Sequence, residues 1–562
     1  MSQHTMQGCE YIARIMKEYG TTHVFFQELI FRLTAKTAEQ MGLKFIMTRS
    51  EGAAGYMADG YARVSGRPGV CMAQSIGASN LAGGITDAWL SNTPVIAITG
   101  KKLPQYQYKN AYQEYDHRAL FDSLTKFNAE LQDPAQLPFL FRQAYREAVT
   151  GKPRPVHLDV PGFYGIETET AEISESFYAE PVYGKYPALR TPAEDRLVKE
   201  AAVWIESAEK PLIVAGRGAN VSGAGEAIYK LAALCDIPVA TSPDGKTVID
   251  ETDPLWAGVI GGYGMDCANK AARAADLVIF VGTQASDQTT CDWTAPDMAT
   301  KVVQIDIEGS ELGKNYPNSV GLLGDARTVV DQLSGAVREK KRPQWRKQVE
   351  ALVQHTLSRQ EKNTDASATP IRTEYLCKVM SEVLPDNAVL VSDTGWSTVW
   401  PATMIRMKKN QRYLRAAGTM GWGFPASLGA KCGAPDRPVV CFSGDGAFLY
   451  HLCEMETAMR YGINTVTVIN NNRTFAQCVP IMRDMYPEDP DVGIRKLDIY
   501  PVNFANVARE FGLFALPVEK PEDIAPALRQ ALEAGKPALV EVLTAGPHVS
   551  VPLSADSMMT GE

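Results

Sequence analysis

The chain has no CxxC pair, no adjacent histidines and no unbroken apolar stretch long enough to cross a bilayer. Each absence closes off a class of function. The ten cysteines are scattered without regular spacing, which argues against a disulfide framework or a zinc site and for a reducing compartment. No run approaches the ~20 apolar residues of a membrane helix, and residues 1–20 lack the basic stretch and apolar core of a secretion signal. A net charge of −9 offers no basic face to nucleic acid or to an anionic membrane. A soluble, cytoplasmic protein is therefore expected.

What is present is an ordinary globular balance over 562 residues, a length that predicts three or four domains at ~150 residues each. Short apolar runs alternate with helical stretches. In a first unit, residues 1–165, strands are expected at 22–26, 44–48, 69–73, 94–99 and 156–160. A second unit, 193–337, has them at 211–215, 239–241, 277–281 and 302–305. A third, 369–543, has them at 388–392, 439–443, 465–469 and 538–542. Strands separated by helices make parallel sheets covered on both faces, so the expected fold class is α/β with three doubly wound parallel-sheet domains. Residues 167–192 read as a linker, 338–365 as a charged one, helical or disordered, and 544–562 as a tail without clear structure, holding Met558 and Met559.

The densest chemistry lies in 439–474, VVCFSGDGAFLYHLCEMETAMRYGINTVTVINNNRT. It reads as strand, tight turn, helix, strand, with Leu452, Met455 and Met459 spaced as one helix face. Such a crossover makes the strands parallel and sets their carboxyl ends side by side. Asp445 and Asn472 then share a crevice of the kind where open α/β sheets bind ligands. An anionic and a neutral oxygen donor beside Gly444 and Gly446 suit Mg²⁺ holding a diphosphate, since magnesium takes few protein ligands and completes its shell with phosphate and water. A glycine-flanked Asp alone is often only a turn residue; the crossover and the triple Asn make this one specific. Glu51 opens a second stretch, EGAAGYMADGYARVSGRPGV. An acid in a first helical turn complements the helix dipole, but the small residues around it also leave room for a flat group.

GDG followed by NN at this distance resembles the thiamine diphosphate signature of the decarboxylase and acetolactate synthase superfamily. The Glu51 stretch resembles that family's E-x-A-A-x-x-A-D-G-Y-A-R-x-x-G-x-P-G-V pattern. The resemblance covers nearly the whole chain and implies the domain order pyrimidine-binding, central, diphosphate-binding. It implies Asp445, the Asn472 side chain and the Thr474 carbonyl as Mg²⁺ ligands, with Gly444, Gly446 and Ala447 beside the diphosphate. It implies that Glu51 hydrogen-bonds the pyrimidine ring and shares a proton there, in a dry pocket where desolvation raises a carboxyl pKa. The stretch LRAAGTMGWGFPASLGAKCGAP is similar to the family's G-x-M-G-x-x-x-P-A-A-x-G-A and makes Gly418 and Met420 cofactor contacts, Met420 as a wedge that bends it. Residues 393–398 resemble a diphosphate-contacting loop, which implies Gly395, Ser397 and Thr398.

The acetolactate synthase branch is the nearest in pattern. AYQEYD resembles its A-F-Q-E-x-D and makes Gln113 a catalytic candidate; LTKFN places Lys126 near substrate. Two loops depart from it. The branch's V-F-G-x-P-G turn is replaced by Val24-Phe25-Phe26-Gln27-Glu28-Leu29-Ile30, and S-G-P-G-A-T-N by Ser75-Ile76-Gly77-Ala78-Ser79-Asn80. Phe26, Gln27, Glu28, Ile30 and Ser75 are thus the substrate-pocket candidates. Without a His-His pair, simple decarboxylation to an aldehyde is disfavoured. The expected activity is carbon–carbon bond formation on 2-oxoacids or related carbonyl donors. The alternatives are a 2-hydroxyacyl-CoA or oxalyl-CoA lyase, a diketone hydrolase, or a silent cofactor-binding homologue. Small-molecule carbonyl substrates and a homodimer or homotetramer follow from the resemblance. In the central unit Gly216-Arg217-Gly218 and Gly282-Thr283-Gln284 are candidate nucleotide contacts, neither a full G-x-G-x-x-G. FAD or ADP there stays open, and an empty or structural central domain is favoured. Exchanging residues 26–29 for a Gly-Pro turn is expected to change the substrate profile measured over a panel of 2-oxoacids and aldehydes; an unchanged profile would count against these loops as the specificity element.

Overall fold

The computed structural model describes residues 5–162 and 165–553, so Met558 and Met559 lie outside the described residues. The first domain's strands are His23–Phe26, Lys44–Met47, Gly69–Gln74, Val95–Lys101, Phe127–Glu130 and Val156–Pro161. The central sheet uses Pro211–Ala215, Val239–Thr241, Trp256–Val259, Leu277–Val281, Lys301–Asp306 and Ser319–Leu323. The third uses Val389–Ser392, Arg412–Arg415, Val439–Gly444, Val466–Asn471, Phe514–Val518 and Ala538–Leu543. Every pairing inside these three sheets is parallel. Numbered by chain order within each sheet, the first and third both run 2-1-3-4-6-5, whereas the central sheet runs 3-2-1-4-5-6. The two outer domains therefore share one topology, which their sequences do not reveal.

Of the two linker regions, 338–365 folds mainly as the helix Pro343–Lys362. Its Trp345 is buried and donates its indole N–H to the Pro211 carbonyl at 2.8 Å, which ties it to the central sheet. Residues 167–192 include Glu172–Ile173, which pairs antiparallel with Met6–Gln7.

The outer domains meet through helices. Glu51–Ser65 is capped by Ser50, whose hydroxyl accepts from the Ala53 amide, and it ends at Gly66 in the left-handed conformation. It packs between Gly77–Leu90 of its own domain and Gly423–Gly433 of the third. The approach to the latter is backbone against backbone: a Cβ on Gly60 would sit 2.0 Å from the Ala426 carbonyl oxygen, and one on Gly429 1.9 Å from that of Met57. Beside this contact the buried Arg63 guanidinium forks onto Asp59 at 2.7 and 2.6 Å and reaches Asp87 at 2.9 Å and the Arg415 carbonyl at 2.6 Å. Trp422 donates to Asp59 at 2.8 Å and lies under the guanidinium. Buried charges persist only when paired and hydrogen-bonded in this way. Gly429→Ala forces this contact apart, and overpacking of this kind costs about 1–3 kcal/mol or more. Urea or thermal unfolding of the variant is expected to show that loss; an unchanged midpoint would mean the helices do not approach so closely.

Candidate active site

Strands Val439–Gly444 and Val466–Asn471 are parallel neighbours with Gly444 opposite Asn470, so the residues that follow each emerge side by side. Asp445 begins the helix Asp445–Leu449 and accepts from its own neighbour, the Gly446 amide, at 2.7 Å. Its other oxygen accepts from the Arg473 amide at 2.5 Å, which binds the two strand ends together. Asn472 accepts through its side-chain oxygen from the Thr474 amide at 3.2 Å, and Arg473 between them takes a positive φ of 59°. The Thr474 carbonyl accepts one bond, from the Ala476 amide, and keeps a second lone pair. Burial pushes the Asp445 carboxyl up to about 6 even though the amides favour its charged form. Among the described residues no three His, Cys, Asp or Glu side chains converge as a metal group. The set here is one carboxylate with two neutral oxygens, which is the kind of sparse, hard donor set that magnesium takes alongside phosphate and water.

Next to it stands the first turn of the helix Trp396–Met404. A Cβ on Gly444 would lie 2.9 Å from the Ser397 hydroxyl, and one on Gly395 2.9 Å from the Gln477 amide oxygen, so the glycines let these two polar groups approach the backbone closely. Gly446 packs under Phe475, and Ala447 is buried. Thr398 does not share the corner's chemistry: it is fully buried and its hydroxyl donates to the Asp393 carbonyl at 2.5 Å, because the turn from strand to helix needs that bond. Gly418 is exposed and Met420 half-buried on the loop 417–423.

Glu51, half-buried, accepts from the Asn80 side-chain amide at 3.1 Å. Gly77 faces it without a side chain, since a Cβ there would sit 2.6 Å from the carboxylate. Ser75 donates its hydroxyl to the Gln113 carbonyl at 2.7 Å, and Tyr115 donates to the Ser75 carbonyl at 3.1 Å. Both Ser75 and Gln113 hold positive φ, 38° and 60°. Glu51, Ser75 and Gln113 are thus gathered at the carboxyl end of the first sheet. Among the described residues of one chain this group and the Asp445 group share no hydrogen-bond partner: Glu51 bonds Asn80, and Asp445 bonds Gly446 and Arg473.

Other candidates fall elsewhere. Phe26 and Ile30 belong to the apolar core of the first domain, Phe26 edge-on to Phe45, so they shape the loop from beneath instead of lining an open pocket. Gln27 and Glu28 are half-buried at its surface, Glu28 3.7 Å from Arg32. Lys126 precedes the strand Phe127–Glu130 and so sits at the amino end of the sheet, away from Glu51; its ammonium is spent on the carbonyls of Thr150 and Lys152. Pattern reading passed over Glu454, whose carboxylate accepts from the Arg49 amide at 2.9 and 3.2 Å and from the Thr457 hydroxyl at 2.6 Å, tying the end of a first-domain strand to a third-domain helix. That helix begins at Glu454, so Leu452 lies in the turn before it.

The central domain carries a cleft of about 440 Å³ at the carboxyl ends of its strands, where the order 3-2-1-4-5-6 changes direction. Arg217, Gly218, Gly282, Thr283, Gln284 and Asp306 line it, closed by Ser91 and Asn92 of the first domain and Arg415 and Ala417 of the third. The Gly-Arg-Gly and Gly-Thr-Gln turns noted in the sequence both open into it.

Three family models match in order: the N-terminal TPP (thiamine pyrophosphate, the diphosphate) binding domain of thiamine pyrophosphate enzymes over residues 6–120, their central domain over 198–333, and their C-terminal TPP binding domain over 393–542. The chain belongs to the thiamine pyrophosphate enzymes. It is 33% identical to a probable acetolactate synthase large subunit of Methanocaldococcus jannaschii, over 96% of this chain and 92% of that one. It is 28% identical to the acetolactate synthase isozyme 1 large subunit of Escherichia coli, over 99% and 98%, and 28% identical to the acetolactate synthase large subunit of Lactococcus lactis, over 98% and 96%. Among the described residues no helix is long and apolar enough to cross a membrane.

In this thiamine pyrophosphate enzyme, burial pushes Glu454 up to about 7 from an ordinary 4.5. The folded state therefore holds the extra proton, and this carboxyl's contribution to stability is greatest below the ordinary value and is lost as pH rises through the higher one. Urea unfolding at the two ends of that window is expected to show wild type losing more stability than Glu454→Gln; equal losses would contradict the burial argument.

Proposed function

We propose that the chain is a thiamine diphosphate- and Mg²⁺-dependent carboligase that breaks the bond between the carboxylate and carbonyl carbons of a 2-oxoacid, releasing CO₂, and joins the remaining acyl unit to a carbonyl acceptor, in the manner of acetolactate synthase. The observation that carries this reading is the convergence of Asp445, Asn472 and Thr474 at adjacent strand ends, where Gly444 lets the Ser397 hydroxyl approach closely. Asp445, the Asn472 side chain and the Thr474 carbonyl would hold the metal. Gly395, Ser397, Gly444, Gly446 and Ala447 would line the diphosphate, with Gly418 and Met420 against the rings. When bound, the cofactor supplies the electron sink that makes a bond next to a carbonyl labile. The chain's own work is orientation, exclusion of water and proton movement. Glu51 would hold a proton at the pyrimidine nitrogen, and Gln113 and Ser75 would bound the reacting space, with Gln27 and Glu28 at its margin.

The domain assignment follows: residues 1–165 pyrimidine-binding, 193–337 central, 369–543 diphosphate-binding. Since Glu51 and Asp445 share no partner within one chain, the complete site is read as forming between two copies, Glu51 of one facing Asp445 of the other, in a homodimer or a dimer of dimers. A nucleotide in the central cleft is the second element of this reading, favoured by the cleft's size and its two glycine turns; the absorption spectrum of the purified protein distinguishes a flavin from a colourless occupant.

Incubation with thiamine diphosphate, Mg²⁺ and pyruvate is expected to yield acetolactate, and cleavage of a 2-hydroxyacyl-CoA instead would redirect the assignment to a lyase. Glu51→Gln is expected to lower turnover by about 10²–10⁴-fold while cofactor binding persists; a fully active variant would remove the proton role.

A further inference from the structure

The loop 417–423, which joins strand Arg412–Arg415 to helix Gly423–Gly433, is gripped at both ends by buried carboxylates. Asp87, from the first domain, accepts from the Ala417 amide at 3.0 and 2.9 Å, from Gly418 at 3.2 Å and from Thr419 at 3.1 Å. Asp393, from the third domain, accepts from Gly421 at 2.9 Å and Gly423 at 2.8 Å, one oxygen for each. Both carboxylates are fully buried, and Asp87 is itself oriented by Arg63 at 2.9 Å and Ser91 at 3.3 Å. Between the two grips stands Met420.

This arrangement exceeds what folding alone asks for. Asp393 reaches the first amide of the helix, that of Gly423, and the Gly421 amide two residues before it. The Asp87 amides lie outside any helix, on a surface turn where Gly418 is exposed and water would serve. A buried acid that spends its acceptors on consecutive amides of another domain instead freezes that turn, because bonds to a charged acceptor are the stronger kind. Methionine has three rotatable bonds and is the least self-ordered of the apolar side chains. A methionine meant to bend a ligand needs its backbone fixed beforehand, since ordering it during binding would be subtracted from the affinity.

We propose that Asp87 and Asp393 are positioning residues that hold the loop 417–423 preformed, so that Met420 stands ready at the cofactor rings. The proposal rests on the functional reading above and adds to it that the first domain of the same chain sets the wedge.

Two measurements test it. Cofactor binding without substrate, followed by quenching of tryptophan fluorescence, is expected to weaken about tenfold in Asp87→Asn and to weaken in Met420→Ala. In the double variant the Asp87 penalty should largely vanish, because it acts through Met420. A structural role alone gives additive losses, and additivity overturns the proposal. Hydrogen exchange on the wild-type chain without cofactor is expected to show the amides of residues 417–419 protected; exchange at the rate of a free surface turn overturns it too. The second measurement decides the matter if Asp87→Asn does not fold. A wild-type chain that binds no thiamine diphosphate would instead overturn the functional reading, leaving the protection result to judge the clamp.

Discussion

Where helix Glu51–Ser65 lies on helix Gly423–Gly433, Gly60 and Gly429 let the two backbones touch at carbonyl distance. The consequences of this contact spread outward. The helix that starts with Glu51 is locked in place along its length, and Arg63, four residues on from Asp59, is forced into the seam with no water to solvate it. It is satisfied by Asp59, Asp87, the Ser91 hydroxyl and the Arg415 carbonyl, with Trp422 under it. That network in turn delivers Asp87 to the loop carrying Met420. One close helix contact thereby connects the helix that starts at Glu51 to the loop that carries Met420.

The shared strand order of the outer sheets adds a second constraint. In a parallel sheet every strand's carboxyl end faces the same side, so each outer domain can present one cluster there. The first presents Glu51, Ser75 and Gln113, and the third presents Asp445, Asn472 and Thr474. The central sheet, with its different order, places its cleft at its own point of reversal and borrows Arg415 and Ala417 from the third domain to close it. An occupant of that cleft would therefore touch the first residue held by Asp87.

The strands that were legible are mostly those flanked on both sides, written as apolar runs such as LVIFV and VVCFS. The missed ones are sheet edges: Phe127–Glu130, Trp256–Val259, Ser319–Leu323, Arg412–Arg415 and Phe514–Val518. An edge strand pairs on one side only and carries residues such as Arg412, Gly258, Gly321 or Pro517 that break the pattern a central strand keeps. The same limit explains Lys126. Its residue type fits a polar site, but the bonds it makes, to the Thr150 and Lys152 carbonyls, depend on segments that come together only in the fold.

Local order in the chain was enough to determine three parallel α/β units and the neighbouring strand ends at Gly444 and Asn470, because periodicity and a short crossover are properties of neighbouring residues. It was also enough to single out Glu51 at a helix start. Tertiary structure alone decided that Phe26 and Ile30 are core, that Asp87 and Glu454 join the outer domains, and that the central sheet holds a cleft. Each of these depends on contacts between residues far apart in the chain, where burial and hydrogen-bond partners are set by packing and leave no periodic trace in the sequence.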